Sequence, residues 1–392
     1  MVAGCMLNRI RPPKMEIRAE VAPKPPPSAA AAGTGRLDSL DALRGFDMFW
    51  IIGGGAMVEG VAKAVDLPAL NALVPQFEHV RWQGLHFWDV IWPLFMFIVG
   101  VSIAFSTTRR KAAGASRRTL YLHAARRAAI LFVLGMIAQG HLLAWDLSKL
   151  WPCHSVLHGI AAGYLIAVAV TLEFRPRTQV LITTSFLLLY WALLMLVPVP
   201  GVGAGVLTPT GNMATWIDQL VLRRFHHGEN TWFVSYLGFA SSVLLGVMAG
   251  HVLLSARTAA AKLRVLAAAG AGCLAAGLVW SLALPIIKLL WTSSFVLVSG
   301  GFSFLSLALF YWIIDVRGWR RWAFPFRVIG MNALVAYMAM VLVDLRGIGK
   351  IFIGSLLSRV GRWDSLLSEA AACLVLWLFL YWMYRTRSFV KI

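Results

Sequence analysis

The sequence predicts an all-α fold, a polytopic integral membrane bundle of about ten transmembrane helices, and two observations support this prediction. Hydrophobic residues make up 59% of the 392 residues, only 14% are charged, and the mean hydropathy is +0.73. A soluble domain is about half apolar and about a quarter charged, so a soluble core cannot hold this composition. Apolar runs of about 20 residues, the length that crosses a bilayer, recur along the chain.

Ten such runs predict the spans in chain order. They lie at 44–63, 86–107, 123–144, 155–173, 178–198, 232–254, 264–284, 293–315, 328–346 and 367–385. The first span is the least apolar because it contains Arg44, Asp47 and Glu59. The segment 284–292, which contains Pro285, is open to three interpretations: a helix extension, a kink or a re-entrant turn.

The residues before the first span differ in composition from the rest. Residues 1–35 are basic and rich in Pro and Ala, which predicts a disordered cytoplasmic tail followed by one transmembrane domain at 36–392. The tail lacks the apolar stretch of a signal peptide, so cleavage is not expected. The cysteines are scattered without a CxxC pair, which predicts neither disulfides nor a metal site.

The distribution of basic residues predicts the orientation. With the N-terminus placed inside, 26 of the 36 Lys and Arg residues fall on the cytoplasmic side, so both termini are expected in the cytoplasm. The net charge of +19 then indicates contact with anionic membrane lipids, and no nucleic acid partner is expected. The outer loops that follow are 64–85, 145–154, 199–231, 285–292 and 347–366.

Ionisable residues near the second span are the densest group of functional candidates. Such residues are costly in lipid and are therefore candidates by default. The group comprises Glu78, His79, Arg81, Trp82, His86 and Asp89. With Gly84 between them, His79 and Asp89 can fold back on each other, so that the carboxylate orients the imidazole and stabilises its protonated form. The alternative is an interfacial His79 and an Asp89 that only caps the helix.

Charged residues at the cytoplasmic ends of helices allow a simpler explanation. Asp41, Arg44 and Asp47 stand at the inner mouth of the first span, where an ion-paired anchor is expected. Arg126 and Arg127 begin the third span, where long basic side chains reach the lipid headgroups.

Four further polar residues stand within or beside later spans. His154 and His158 fall on one helical face, but no third metal ligand accompanies them, so they predict a polar cavity lining or no role. Lys288 is expected either to bind an anionic or hydroxylated substrate or to reach the interface. Asn332, near the start of the ninth span, is expected to bond across helices.

Two segments in this order carry a family resemblance: LDSLDALRGFDMF and FEHVRWQGLHFWDVIWPLFMFIVGVSIAFS. They resemble the heparan-α-glucosaminide N-acetyltransferase family, within the wider group of transmembrane acyltransferases, and its bacterial relatives in particular. The likeness covers about 37–392. Later stretches agree with it, namely LLGVMAG (244–250), LPIIKLLWTSSFVLVSGGFSFLSLALFYWIIDVRG (284–318), IGMNALVAY (329–337) and the ending MYRTRSFVKI.

The resemblance implies a reaction and a site. Cytosolic acetyl-CoA, a co-substrate, would donate an acetyl group to an amino sugar or glycan on the outer side, in a bacterial inner membrane. The family's histidine and aspartate match His79 and Asp89, which would act as base or acetyl carrier and as its orienting carboxylate. The remaining candidates are Trp82, His158, Lys288 and Asn332 for the acceptor, and Arg44 and Arg127 for the phosphates of coenzyme A. A homodimer is left open.

Departures from the family pattern predict a different acceptor pocket. Gly53 stands where the family has an asparagine, NTWFVS (230–235) replaces a Pro-Glu-Gly motif, and residues 156–159 read VLHG rather than VLQR. A rival interpretation is a proton-coupled transporter or flippase of a small polar solute that uses His79 and Asp89. A weaker rival is a lipid-binding or scaffold protein without chemistry.

Overall fold

The computed structural model describes residues 37–142 and 145–390. The tail predicted at 1–35 therefore lies outside the described residues. Within them the fold is helical, and an isolated bridge between Val199 and Gly203 is the one extended pairing in this part of the chain.

Thirteen helices of eight or more residues follow each other along the described chain. They are α1 (Asp38–Val65), α2 (Phe87–Ala112), α3 (Arg117–Ala138), α4 (Val156–Glu173), α5 (Pro176–Leu196), α6 (Met213–Leu222), α7 (Tyr236–Leu254), α8 (Ala259–Trp280), α9 (Ser293–Val316), α10 (Phe324–Met331), α11 (Ala333–Leu342), α12 (Leu345–Leu357) and α13 (Gly361–Arg385). Shorter helical turns lie at Pro68–Asn71, Val74–Phe77, Leu147–Lys149 and Arg223–Phe225.

Nine of the described helices are long and apolar enough to cross a membrane, namely all except α6, α10, α11 and α12. The helices α10 and α11 pass the same test together, although they are bent by 77° at Asn332. Counting this pair as one span gives up to ten among the described residues, which agrees with the ten runs in the sequence. The chain is a multi-pass integral membrane protein.

A helix start differs from the prediction where a capping residue, rather than hydropathy, determines its position. Helix α3 begins at Arg117 rather than 123, because the Ser116 hydroxyl accepts the backbone N–H of Thr119 at 3.2 Å. Basic residues in the first turns of α3 lower the hydropathy there, so the hydropathy pattern did not include this helical segment in the predicted span.

The prediction of an outer loop at 347–366 is wrong in part, because most of that segment is helical and belongs to α12. The Asp344 carboxylate caps this helix by accepting the backbone N–H of Gly347 at 2.9 Å. The helix packs along α13 through Gly349, which lies against Ala371 and Ala372. Its 13 residues are too short for a span, so hydropathy did not reveal it.

Close contacts through glycine hold the bundle together. In α1, a Cβ added at Gly45 would collide with the carbonyl of Phe326 in α10, and one at Gly330 would collide with that of Asp41. Gly246 of α7 lies against the backbone of α2 in the same way. Small residues allow this approach, and membrane helices use such packing because they gain little from the hydrophobic effect.

Helix α1 is interrupted in its middle by a π-turn at Trp50–Gly54. Gly53 has a φ of 155°, a conformation that side chains rarely permit, and the sulfur of Cys373 fills the place where its Cβ would be. The interruption faces the break between α11 and α12 at Val343 and Asp344, because residues of both breaks line one cavity.

Candidate active site

The segment before α2 is folded so that it returns towards the start of that helix. Gly84, with a φ of 121°, donates its backbone N–H to Ile286 at 2.9 Å and ties the segment to the turn between α8 and α9. His86 is the N-cap of α2, and its backbone N–H donates to Asp89 Oδ2 at 3.1 Å. Asp89 therefore caps the start of α2, which is the helix-capping role that the sequence allowed for it.

The other oxygen of the same carboxylate meets the candidate histidine. His79 Nδ1 lies 2.8 Å from Asp89 Oδ1. The Asp89 side chain is 1% exposed, whereas that of His79 is 56% exposed. A proton on Nδ1 directed at the buried carboxylate leaves the lone pair on Nε2, which is the tautomer that a base or nucleophile requires.

Lys288 joins this pair. Its ammonium lies 3.2 Å from Asp89 Oδ1, 2.8 Å from His79 Nδ1 and 3.3 Å from His79 Nε2, and its side chain is only 14% exposed. Burial lowers the pKa of Lys288, and the charge of Asp89 only partly opposes that shift. We call these three residues the His79 cluster.

The lysine is held by a buried turn between α8 and α9. Leu284, Ile287 and Leu290 in this turn are fully buried. The Thr292 hydroxyl donates to the carbonyl of Pro285 at 2.9 Å. Of the three interpretations of 284–292, the structure shows a turn. The Lys288 ammonium points at the buried carboxylate of Asp89.

A cavity of about 440 Å³ lies beside the cluster. Glu78 and Trp88 line it at the end near His79, whose ring centroid is 6.3 Å from that of Trp88. Its lining comes from α1, the segment before α2, the break between α11 and α12, and α13. The polar and aromatic lining residues are Trp50, Glu59, Phe77, Glu78, Trp88, Asp344, Arg346 and Glu369.

Acidic groups outnumber basic ones in this lining. Glu59, Glu78, Asp344 and Glu369 are carboxylates, and Arg346, the one basic side chain of the lining that the structure describes, is paired with Glu369 at 2.6 Å. Sequence reasoning missed the cavity because its members are far apart in the chain. The signal was present in Glu59 and Glu369, two acidic residues within apolar spans.

The other acceptor candidates bond elsewhere in the fold. The Trp82 indole N–H donates to Leu207 of the 199–231 loop at 2.8 Å. His158 has one ring nitrogen 3.1 Å from the carbonyl of Phe132, and the other accepts backbone N–H groups at the start of α4. Asn332 binds the backbone of the C-terminal segment at 388 and 390, so it bonds a terminal segment instead of a neighbouring helix.

The candidates that the sequence predicts at the cytoplasmic side are partly as expected. Arg44 pairs with Asp41 at 3.3 Å and also donates to the Ser102 hydroxyl at 2.9 Å, so these two form the predicted anchor. Asp47 is not part of it, because its carboxylate is fully buried and has no hydrogen-bond partner among the residues that the structure describes. The Arg127 guanidinium lies over the ring of Tyr164, 4.8 Å from its centroid.

Metal ligands do not converge in the described part of the chain, where no group of three or more His, Cys, Asp or Glu residues has the geometry to hold an ion.

The family described as "Heparan-alpha-glucosaminide N-acetyltransferase, catalytic" matches residues 36–278, which is more than half of the chain and includes His79 and Asp89. The chain belongs to this family. The human heparan-alpha-glucosaminide N-acetyltransferase is 30% identical over 328 residues, which cover 67% of this chain and 48% of the relative. The mouse enzyme of the same name is 28% identical over 326 residues, with the same coverage of both chains. This member of the family therefore spans about half the length of the curated relatives it matches.

Proposed function

We propose that this protein is a membrane-embedded acyltransferase that moves an acetyl group from acetyl-CoA to the amino group of a sugar or glycan. Family membership supports the reaction class. The observation that carries the proposal is the contact of 2.8 Å between His79 and the buried Asp89, at the edge of an acidic cavity. A buried carboxylate that orients an imidazole is the feature that catalytic triads use.

The geometry supports two routes for the acetyl group, and both use Nε2 of His79. In one, Nε2 attacks the thioester, the C–S bond breaks, and the ring carries the acetyl group until the amine takes it. In the other, Nε2 removes the proton from the amine as that amine attacks the thioester. Asp89 stabilises the cationic ring in either case.

The acidic cavity is the proposed acceptor site. An amino sugar is cationic when protonated, so carboxylates such as Glu59 and Glu78 attract it. The rings of Trp50 and Trp88 offer apolar faces on which the C–H groups of a sugar can pack. Trp88 in its lining has its ring centroid 6.3 Å from that of His79, the residue that would deliver the acetyl group.

The donor is proposed to arrive from the cytoplasm. Basic residues concentrate on that side, and Arg44 and Arg127 stand as candidates for the phosphates of coenzyme A. A location in a bacterial inner membrane, with the 64–85 loop outside, is part of the same proposal. The lipid contacts follow from the basic surface.

A transporter is the second candidate, and one observation favours it. The cavity lies between two interrupted helices, at Gly53 and at Val343–Asp344, and interrupted helices commonly form substrate sites in transporters. A proton-coupled carrier would use His79 and Asp89 for the proton and would consume no thioester.

Purified full-length protein in detergent separates the two candidates. The enzyme is expected to convert labelled acetyl-CoA and glucosamine into N-acetylglucosamine and free coenzyme A. A transporter would leave acetyl-CoA intact in detergent and would accumulate glucosamine only in sealed proteoliposomes. That second pattern would overturn the proposed function.

A further inference from the structure

Lys288 is placed too precisely in space to be a solvated surface lysine. The turn that carries it is tied on both sides, since Ile286 accepts from Gly84 at 2.9 Å and Leu289 accepts from Thr231 at 3.0 Å. Its ammonium lies within 3.3 Å of both ring nitrogens of His79. A group in that position touches the atom at which the proposed chemistry occurs.

One carboxylate oxygen serves two groups that can each be cationic. Asp89 Oδ1 lies 2.8 Å from His79 Nδ1 and 3.2 Å from Lys288 Nζ. Two cations beside a single buried anion repel each other strongly. The reaction is therefore written with one positive charge in the cluster, on the lysine before the acetyl group is transferred and on the acetylated ring afterwards.

Nδ1 of His79 has one hydrogen-bonding position in the plane of the ring, so it cannot donate to Asp89 and accept from Lys288 at the same time. Donation to Asp89 leaves Nε2 unprotonated while Lys288 pairs with the carboxylate. This is the state from which a nucleophile or base can start.

We propose that Lys288 is the third catalytic member of this site and carries the proton of the acetyl transfer between the leaving thiolate and the attacking amine. The inference rests on the proposed function. It identifies the group that gives a proton to the leaving thiolate and takes one from the attacking amine, a role that His79 and Asp89 alone do not fill.

The charges balance in each step. Nε2 attacks the acetyl carbon, the C–S bond breaks with its electron pair going to sulfur, and the Lys288 ammonium gives its proton to the thiolate. The cluster then holds an acetyl-imidazolium, a neutral lysine and the Asp89 anion, so its total charge is unchanged.

The second step reverses this exchange. The bound ammonium first releases one proton to solvent. The neutral amine then attacks the acetyl carbon, the bond from that carbon to Nε2 breaks with its electron pair returning to the ring, and the neutral Lys288 takes the proton that the new amide nitrogen loses. On the direct route His79 takes that proton first and passes it to Lys288. Coenzyme A leaves as the thiol and the product as the amide in both cases.

Three other ionisable groups lie near the turn. Tyr190 donates its hydroxyl to the carbonyl of Leu290 within the turn. Glu78 lines the cavity, and its backbone carbonyl lies 3.0 Å from His86 Nδ1. Asp218, on the helix before Thr231, accepts backbone N–H groups of Trp232 and Phe233. Within the described part of the chain, His79 and Asp89 are the titratable groups that contact Lys288. The lowered pKa of this lysine suits a group that gives and takes a proton.

The test compares Lys288→Arg with Lys288→Met in full-length protein. Arginine keeps a positive charge beside Asp89 but does not lose its proton at working pH, so it separates a structural ion pair from proton transfer. We expect both variants to lower kcat by about 10²-fold or more while the melting temperature of the Arg variant and its coenzyme A binding stay near wild type. The exposed Lys149, with Lys149→Arg and Lys149→Met, is the matched control.

An Arg or Met variant with wild-type turnover would overturn the role of Lys288 without touching the proposed function, whereas an inactive wild-type protein would sink the function itself. The wild-type protein provides a second measurement that needs no variant to fold. The initial release of coenzyme A should fall with rising pH, with a midpoint below the ordinary lysine value of 10.5. A release that stays flat through that range would overturn the proposal.

Discussion

Asp89 joins two structural elements through its two oxygens: Oδ2 accepts the backbone N–H of His86 at the start of α2, and Oδ1 lies 2.8 Å from Nδ1 of His79. The cap and the proposed catalytic contact are therefore not alternatives. The helix fixes the carboxylate, and the carboxylate fixes the imidazole.

Replacement of Asp89 by Asn tests which of these roles matters for turnover. Asparagine caps helices as well as aspartate does, so the helix start should persist. Loss of the charge removes the stabilisation of the cationic ring and the partner of Lys288, and we expect turnover to fall by about 10²–10⁴-fold. The measurements are kcat and the melting temperature, with the exposed Asp146→Asn as control. Wild-type turnover in Asp89→Asn would mean that the carboxylate acts only as a cap.

The acidic cavity predicts an effect on the acceptor alone. Glu59→Gln and Glu78→Gln should each raise the KM for glucosamine by about 10- to 150-fold, because each removes a charged group worth about 1.5–3 kcal/mol to a bound ammonium. The KM for acetyl-CoA should not change. Glu229→Gln, exposed in the 199–231 loop, is the control. Equal changes in both KM values would show that the carboxylates do not form an acceptor site.

Gly53 should tolerate no side chain. Gly53→Ala places a methyl group against the sulfur of Cys373 at a φ of 155°, so we expect a loss of about 1–3 kcal/mol of stability from the backbone strain. Adding Cys373→Ala removes the collision but not the strain, so the double variant should recover only part of the melting temperature. Full recovery would mean that the backbone conformation is not strained.

The charge distribution predicts that the 64–85 loop is outside. In a background without native cysteines, Gln83→Cys should react with an impermeant thiol reagent on intact cells. Ala113→Cys, exposed between α2 and α3, should react only after lysis. The reverse pattern would contradict the orientation and, with it, a donor site on the cytoplasmic side.

The sequence predicted the spans well because hydropathy depends on local composition. It missed α12, since 13 residues that include Arg346 and Lys350 do not resemble a span. It also missed the 77° bend at Asn332, because helix packing rather than composition decides how the two halves are oriented.

The candidate site was predictable where its members are near each other in sequence. His79 and Asp89 are ten residues apart, and the structure brings them together. Lys288 is 209 residues from His79, so its contact with the ring depends on the tertiary fold, and from sequence it was interpreted as a substrate-binding residue. The cavity depends on the fold in the same way, since Glu59 and Glu369 come from the first and last spans.

The most direct test of the account is the rate of N-acetylglucosamine formation from acetyl-CoA and glucosamine by the wild-type protein and by His79→Ala. Purified His79→Ala should fold, bind coenzyme A as the wild type does, and form product at least about 10²–10⁴-fold more slowly, because the base or acetyl carrier is gone. Product formation at a rate near wild type by a folded His79→Ala would contradict the account.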